Sequence, residues 1–288
     1  NLNFHYLEWD GGDSPLVLLH GLASNAHFWD LVVPHLLRRF RMVALDQRGH
    51  GSTDKPNKGY DFRTVAKDVE CLVRCLDLKR PIIVGHSWGG NVAMQVAADY
   101  PDLASGLVCI DGGFIEPAAA PGATWEQTKL RLAPPDFVAL DFTWDQLVEQ
   151  AKTWGTASFW GEKFEDFLRA NFAIHKTGRI RPKLTRERHM KILKAIWDQR
   201  LSQLYDKVSC PVLLMPARRT QDQELPNQAS DEWKRASIAK ATERLPRHHL
   251  VWMEDSIHDV PIQRPDEVAE VIIQAIEDGF FDPEDRQQ

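Results

Sequence analysis

The sequence predicts an α/β fold: a mostly parallel central sheet flanked by helices and interrupted by a helical insertion. Two observations carry this. Short apolar runs of strand length alternate with helical stretches along most of the 288 residues. From Ile82 onward those runs are apolar throughout, as parallel strands covered on both faces must be. Taken in order, strands are expected over residues 2–8 and 16–19, joined by Gly11-Gly12-Asp13-Ser14-Pro15 as a hairpin-like connection, then over 42–45, 82–84, 107–110, 212–215 and 250–253. A helix is expected from about 266 to 279. Between Asp111 and Val208 the alternation stops, and helices are expected over 143–154, 163–175 and 185–205. The Pro- and Ala-rich stretch 116–121, with Pro134-Pro135 after it, marks the crossing out of the sheet. The chain therefore divides into a core of residues 1–114 and 208–288 and an insertion of residues 115–207.

The chemistry starts at Pro81-Ile-Ile-Val-Gly85-His86-Ser87-Trp88-Gly89-Gly90-Asn91-Val92-Ala93-Met94. An apolar run breaks at a glycine-framed serine and continues with helical spacing, which reads as strand, tight turn and helix. Glycines allow the strained backbone and the close helix packing of a nucleophile elbow, with the Ser87 hydroxyl pushed above the sheet. Serine at its free pKa is a poor nucleophile, so a histidine base, an orienting acid and NH donors for the oxyanion are required.

Two more segments carry a resemblance. Pro15-Leu-Val-Leu-Leu-His20-Gly21-Leu22-Ala23-Ser24 is an apolar strand ending in a glycine turn. Val43-Ala-Leu-Asp46-Gln47-Arg48-Gly49-His50-Gly51-Ser52-Thr53-Asp54 is similar to a D-x-R-G-x-G-x-S loop. With the elbow, these make the chain resemble an α/β-hydrolase-fold serine hydrolase of the capped esterase or lactonase kind, over nearly its whole length. The resemblance implies that Leu22 and Trp88 supply the oxyanion NH donors, that Asp46 and Arg48 tie down loop backbone, and that residues 115–207 form a helical cap over Ser87.

The resemblance also implies the chain order serine, acid, histidine. His258 follows the last apolar run and precedes a helix, so it is the expected base. His20 and His86 flank the turns and are expected to fill space or bond loop backbone, while His248 and His249 are expected to be solvated. Many relatives carry the acid after the strand that here is Pro211-Val-Leu-Leu-Met215, but Pro216-Ala217-Arg218-Arg219-Thr220 follows it. Asp222 and Glu224 lie further on, and Asp222 is the alternative acid. The run Gly106-Leu-Val-Cys-Ile110 instead delivers Asp111 to a strand end, one strand-helix-strand repeat after Ser87. A minority of the superfamily, including haloalkane dehalogenases and some lactone hydrolases, is similar in placing its acid there, after the family's sixth strand, and Asp111 is the expected acid. Asp259 is set aside because neighbouring side chains in an extended loop point apart.

Composition narrows the partners. A net charge of −6 with scattered Lys and Arg argues against nucleic acid, and the longest apolar runs are far too short to cross a bilayer. Of the four cysteines, Cys71 and Cys75 share an i, i+4 face, but no His or Cys pair completes a zinc set. Cys71, Cys75, Cys109 and Cys210 are read as buried free thiols, which places the protein in the cytoplasm, and no cofactor or metal is expected. Trp125, Trp144, Trp154, Trp160 and Trp197, half of the ten tryptophans, lie in the insertion. Cap packing should use most of them and an apolar pocket the rest. Hydrolysis of a sizeable hydrophobic carboxylic ester or lactone is the expected activity. The alternatives are a carbon–carbon bond hydrolase or perhydrolase with the same triad, a non-catalytic ligand receptor, or a scaffold protein. Serine at position 87 excludes the dehalogenase and epoxide-hydrolase chemistries of the fold, which use an aspartate nucleophile.

Overall fold

Six strands form the central sheet of the computed structural model, in the order β2-β1-β3-β4-β7-β8; residues 2–153, 160–219 and 231–282 are described. The strands are β1 (Tyr6–Leu19), β2 (Phe40–Leu45), β3 (Ile82–His86), β4 (Gly106–Ile110), β7 (Val212–Met215) and β8 (His248–Leu250). A pair of short strands outside this sheet, β5 (Phe172–Ile174) and β6 (Ile180–Pro182), forms an antiparallel hairpin. Side chains alternate between the two faces with the strand period of two. Val17, Leu19, Ile83 and Leu214 enter one core with Val65 and Val69 of α2 (Phe62–Cys75) and Val92 and Val96 of α3 (Trp88–Asp99). Leu16, Leu18, Val84 and Leu213 enter the other, against Val33 and Leu36 of α1 (Val33–Leu36) and Val268 and Ile272 of α11 (Pro265–Glu277).

The first two expected strands do not pair with each other. Leu16–Leu19 runs parallel to β2 and also borders β3, whereas the register of Tyr6–Trp9 descends, Tyr6 facing Leu45 and Trp9 facing Met42. The chain passes around the Phe40 end of β2 and puts one arm on each side of it. Gly11 is needed there, since a Cβ would lie 2.0 Å from the Phe40 carbonyl oxygen.

The insertion holds α4 (Trp125–Leu132), α5 (Phe137–Leu140), α6 (Trp144–Ala151), α7 (Glu162–Ala170) and α8 (Arg186–Asp198). Two expected helices are shorter than the spacing suggested. The one expected over 163–175 ends at Ala170 because Phe172-Ala-Ile and Ile180-Arg-Pro pair across a turn closed by Gly178, at φ +77°. The one expected over 185–205 ends at Asp198 and gives way to 3-10 turns at Leu201–Gln203 and Tyr205–Lys207. Trp144, Leu147, Leu168, Phe172 and Ile180 make a small core of their own. α9 (Asp231–Arg244) and α10 (Val260–Gln263) complete the main core. Cys109 and Cys210 are buried, but Cys71 and Cys75 are exposed, contrary to the expectation. Their shared face is the solvent face of α2, whose opposite face carries Val65, Val69 and Val73. Among the described residues, no helix is long and apolar enough to cross a membrane.

Candidate active site

Ser87 stands between β3 and α3 at φ 52°, ψ −119°. A non-glycine residue held there costs about 1–3 kcal/mol. The surroundings hold it: the Ser87 NH donates to the Ile110 carbonyl at 2.9 Å, and its carbonyl accepts from the Gly90 NH at 3.0 Å. Gly89 lets α3 approach the neighbouring strand, since a Cβ would meet the Leu19 carbonyl oxygen at 2.2 Å. Trp88 opens α3, so its NH has no intrahelical acceptor.

Asp111 follows β4, also with positive φ, 41°. Its Oδ2 accepts from His258 Nδ1 at 2.6 Å, and His258 Nε2 accepts from the Ser87 hydroxyl at 2.9 Å. Asp111 Oδ1 accepts from the Ala217 NH at 3.0 Å and from Lys234 Nζ at 2.8 Å. Burial opposes the Asp111 charge, but the His258 hydrogen bond and the Lys234 ammonium outweigh it and hold the carboxyl well below the usual range. For His258 burial disfavours the imidazolium, yet the hydrogen bond and charge of Asp111 win and its pKa is raised. The three residues thus lie within hydrogen-bond reach from three separate strand ends, the edge where open α/β sheets bind ligands. Asp222 and Glu224 lie outside the described residues. Asp259 turns toward His86, 3.9 Å from its Nε2.

The remaining polar residues shape the turns. His20 Nδ1 donates to the Gly21 carbonyl at 2.7 Å, and its Nε2 accepts from the Gln47 NH at 3.1 Å. His50 Nε2 accepts from the Ala23 NH at 3.2 Å, which fixes the turn that carries Leu22. Neither the Leu22 NH nor the Trp88 NH donates to an acceptor among the described residues. His86 Nε2 donates to the His258 carbonyl at 2.8 Å while its ring stacks on Phe28, and burial lowers its pKa to about 4. Asp46 accepts from the Ala26 and Ser52 NH groups, each at 2.7 Å, and Arg48 pairs with Asp68. His248 and His249 are exposed, but on β8 rather than before it. Sequence reasoning missed Lys234. It stands 123 positions from Asp111 on a helix whose charges surround it, and no local pattern singles it out.

A cavity of about 460 Å³ opens over Ser87 and His258, walled by Phe28, Phe137, Phe164, Phe167 and Phe172. The rings that wall it are phenylalanines, and the described tryptophans of the insertion are used in packing, as expected of most of them, rather than in the pocket. Trp125 and Trp197 pack on each other at 6.1 Å, Trp144 is buried in the insertion's own core, Trp160 meets Phe164, and Trp154 lies outside the described residues. Among the described residues, no group of His, Cys, Asp and Glu is arranged to hold a metal ion.

A doubly covered parallel sheet with a serine elbow, a histidine and an aspartate at its strand ends defines a hydrolase scaffold. The model of the family described as alpha/beta hydrolase fold matches residues 14–265, and the chain belongs to that family. It is 43% identical over 101 residues to 2-(acetamidomethylene)succinate hydrolase of Mesorhizobium japonicum, covering 35% of this chain and 36% of the relative. It is 42% identical over 107 residues to soluble epoxide hydrolase of a Corynebacterium species, 37% of each. The matched stretch thus spans little more than a third of these curated relatives. The crystal structure of E-2-(acetamidomethylene)succinate hydrolase superposes with a TM-score of 0.76 over 96% of both chains at 23% identity, a likeness of fold.

Proposed function

We propose that the protein is a serine hydrolase acting on a carboxylic ester or lactone with a sizeable hydrophobic part. The observation that carries this is His258 bridging Asp111 and Ser87, 2.6 and 2.9 Å away. In this reading Ser87 Oγ attacks the acyl carbon while His258 Nε2 takes its proton. Asp111 keeps the Nδ1–H tautomer and supports the imidazolium that forms. The NH groups of Leu22 and Trp88 receive the oxyanion. Collapse expels the alcohol, protonated by His258, and leaves an acyl-Ser87. Water that gives its proton to His258 then attacks the acyl carbon and releases the acid. The relative named as an epoxide hydrolase does not extend that activity here, because epoxide hydrolases of this fold use an aspartate nucleophile where this chain has Ser87. Residues 115–207 act as the cap, and the phenylalanine-walled cavity supports a bulky apolar acyl or alcohol group.

The test is labelling by a fluorophosphonate together with turnover of p-nitrophenyl esters of rising chain length. Wild type is expected to label and to prefer medium or long chains. Ser87→Ala is expected to lose both the label and turnover by several orders of magnitude, with its Tm unchanged. Turnover that survives in Ser87→Ala rejects the nucleophile, and a preference for acetate esters rejects the bulky substrate.

A further inference from the structure

The insertion brings three cationic side chains to the wall of the Ser87 cavity: Arg181 on β6, Lys183 just after it, and Arg186 in the first turn of α8. Arg181 is engaged by Asp141 at 3.1 Å. Lys183 Nζ and the Arg186 guanidinium meet no carboxylate among the described residues. Two acids also line this wall, and neither pairs with Lys183 or Arg186. Asp136 accepts from the Ala139 NH at 3.1 Å, and Asp259 turns toward His86.

The charges of Lys183 and Arg186 are felt by their neighbours. His189, which also lines the cavity, is pushed down to about 4, by burial first and by Arg186 next. Lys55 is lowered by burial and then by Lys183. The opening residues of α8 add the positive end of a 13-residue helix to the same wall, since Leu184, Thr185 and Arg186 all line it. This bias runs against the chain as a whole, whose net charge is −6. Arg186 is exposed and Lys183 half-buried where they border the cavity, so a bound carboxylate would meet two cations that hold no carboxylate among the described residues.

We propose that the substrate carries a carboxylate remote from the bond cleaved, held between Lys183 and Arg186, so that the enzyme acts on an ester or lactone of an organic acid. The planar guanidinium of Arg186 matches a carboxylate in two-point geometry, and Lys183 adds a point charge. The phenylalanine wall takes the carbon chain between the two ends. This inference rests on Ser87 being the hydrolytic centre.

The experiment is calorimetric binding to Ser87→Ala, which holds substrate without cleaving it. The probes are the monomethyl ester of octanedioic acid, an anion at neutral pH, and the uncharged dimethyl ester. The monoester is expected to bind on the order of tenfold tighter, with the advantage shrinking as salt is added. In Ser87→Ala/Lys183→Ala/Arg186→Ala the two probes should bind alike, with the dimethyl ester unaffected. Equal binding in Ser87→Ala, or an advantage that persists in the triple variant or in high salt, overturns the proposal. The hydrolase reading fails separately, if wild type neither takes the fluorophosphonate nor cleaves the dimethyl ester.

Discussion

At the scale of single residues, Asp111 and Lys234 pull the base in opposite directions. In the proposed mechanism His258 must be neutral to accept a proton, so kcat/KM should fall as pH drops through its pKa. Because that pKa is raised, the acid limb should lie above the ordinary value of 6.5. Asp111→Asn removes the hydrogen bond and charge that raise it. The limb should then move to lower pH, and kcat should fall by about a thousandfold to ten-thousandfold because the tautomer is no longer fixed. Lys234→Met removes a charge that lowers the His258 pKa and a hydrogen bond to Asp111 Oδ1. Its limb should move to higher pH with a loss in kcat of less than about tenfold, since the Ala217 NH and His258 still hold the carboxylate. A pH–rate profile of the three proteins with one ester checks both signs. Shifts in the same direction would remove Lys234 from the account.

At the scale of elements, the turn between β3 and α3 depends on backbone room that only glycine gives. Gly89→Ala would push a Cβ to 2.2 Å from the Leu19 carbonyl oxygen and 2.8 Å from that of His20. Backbone cannot yield as a flexible side chain does, so the urea midpoint should fall by an amount equivalent to about 2 kcal/mol or more, and fluorophosphonate labelling should slow because Trp88 and Leu22 separate. Unchanged labelling and stability would show that α3 has space to retreat. The same turn explains what the sequence makes legible. Ser87, Asp111 and His258 each lie beyond an apolar run of strand length, and parallel strands return to one edge of the sheet, so period and order alone bring them near one another. The missing aspartate after Met215 pointed toward Asp111 for the same reason. What was not legible depends on contacts between distant segments. Phe172-Ala-Ile looks like the tail of a helix until its partner Ile180-Arg-Pro is known. Gly11 to Pro15 looks like a hairpin turn until Phe40 is seen between the arms. Lys234 carries no pattern at all, and the use of phenylalanine rather than tryptophan around the cavity is set by how the insertion packs on itself.

At the scale of the whole molecule, buried histidines set the response to acid. Burial lowers the pKa of His20 and His50, and brings His86 and His189 to about 4. A base whose folded pKa is depressed contributes stability above its unfolded value and loses it as pH falls toward the folded one. As pH falls below 6.5 all four rings therefore weaken the fold, and His86 and His189 do so down to about pH 4, by roughly 2–3 kcal/mol each. His258 has the opposite sign, since its raised pKa gives stability below 6.5 that is lost as pH rises through the folded value. Asp46 and Asp111, both depressed, add their own losses only below the unfolded carboxylate value of 3.8. Between about pH 6.5 and pH 4.5 the loss is therefore carried by histidine, offset where half-buried Asp68, whose pKa is raised, takes up its proton above 3.8, and Glu70 adds its own loss only below 4.5. His189 is the ring to replace, because it touches none of the reacting groups and is buried at the start of α8. Urea midpoints taken at about pH 7 and about pH 4.5 should fall steeply in wild type and less steeply in His189→Leu, whatever the variant's stability at neutral pH. Parallel slopes in the two proteins would mean that His189 is protonated at no cost, and that its burial does not exclude the imidazolium.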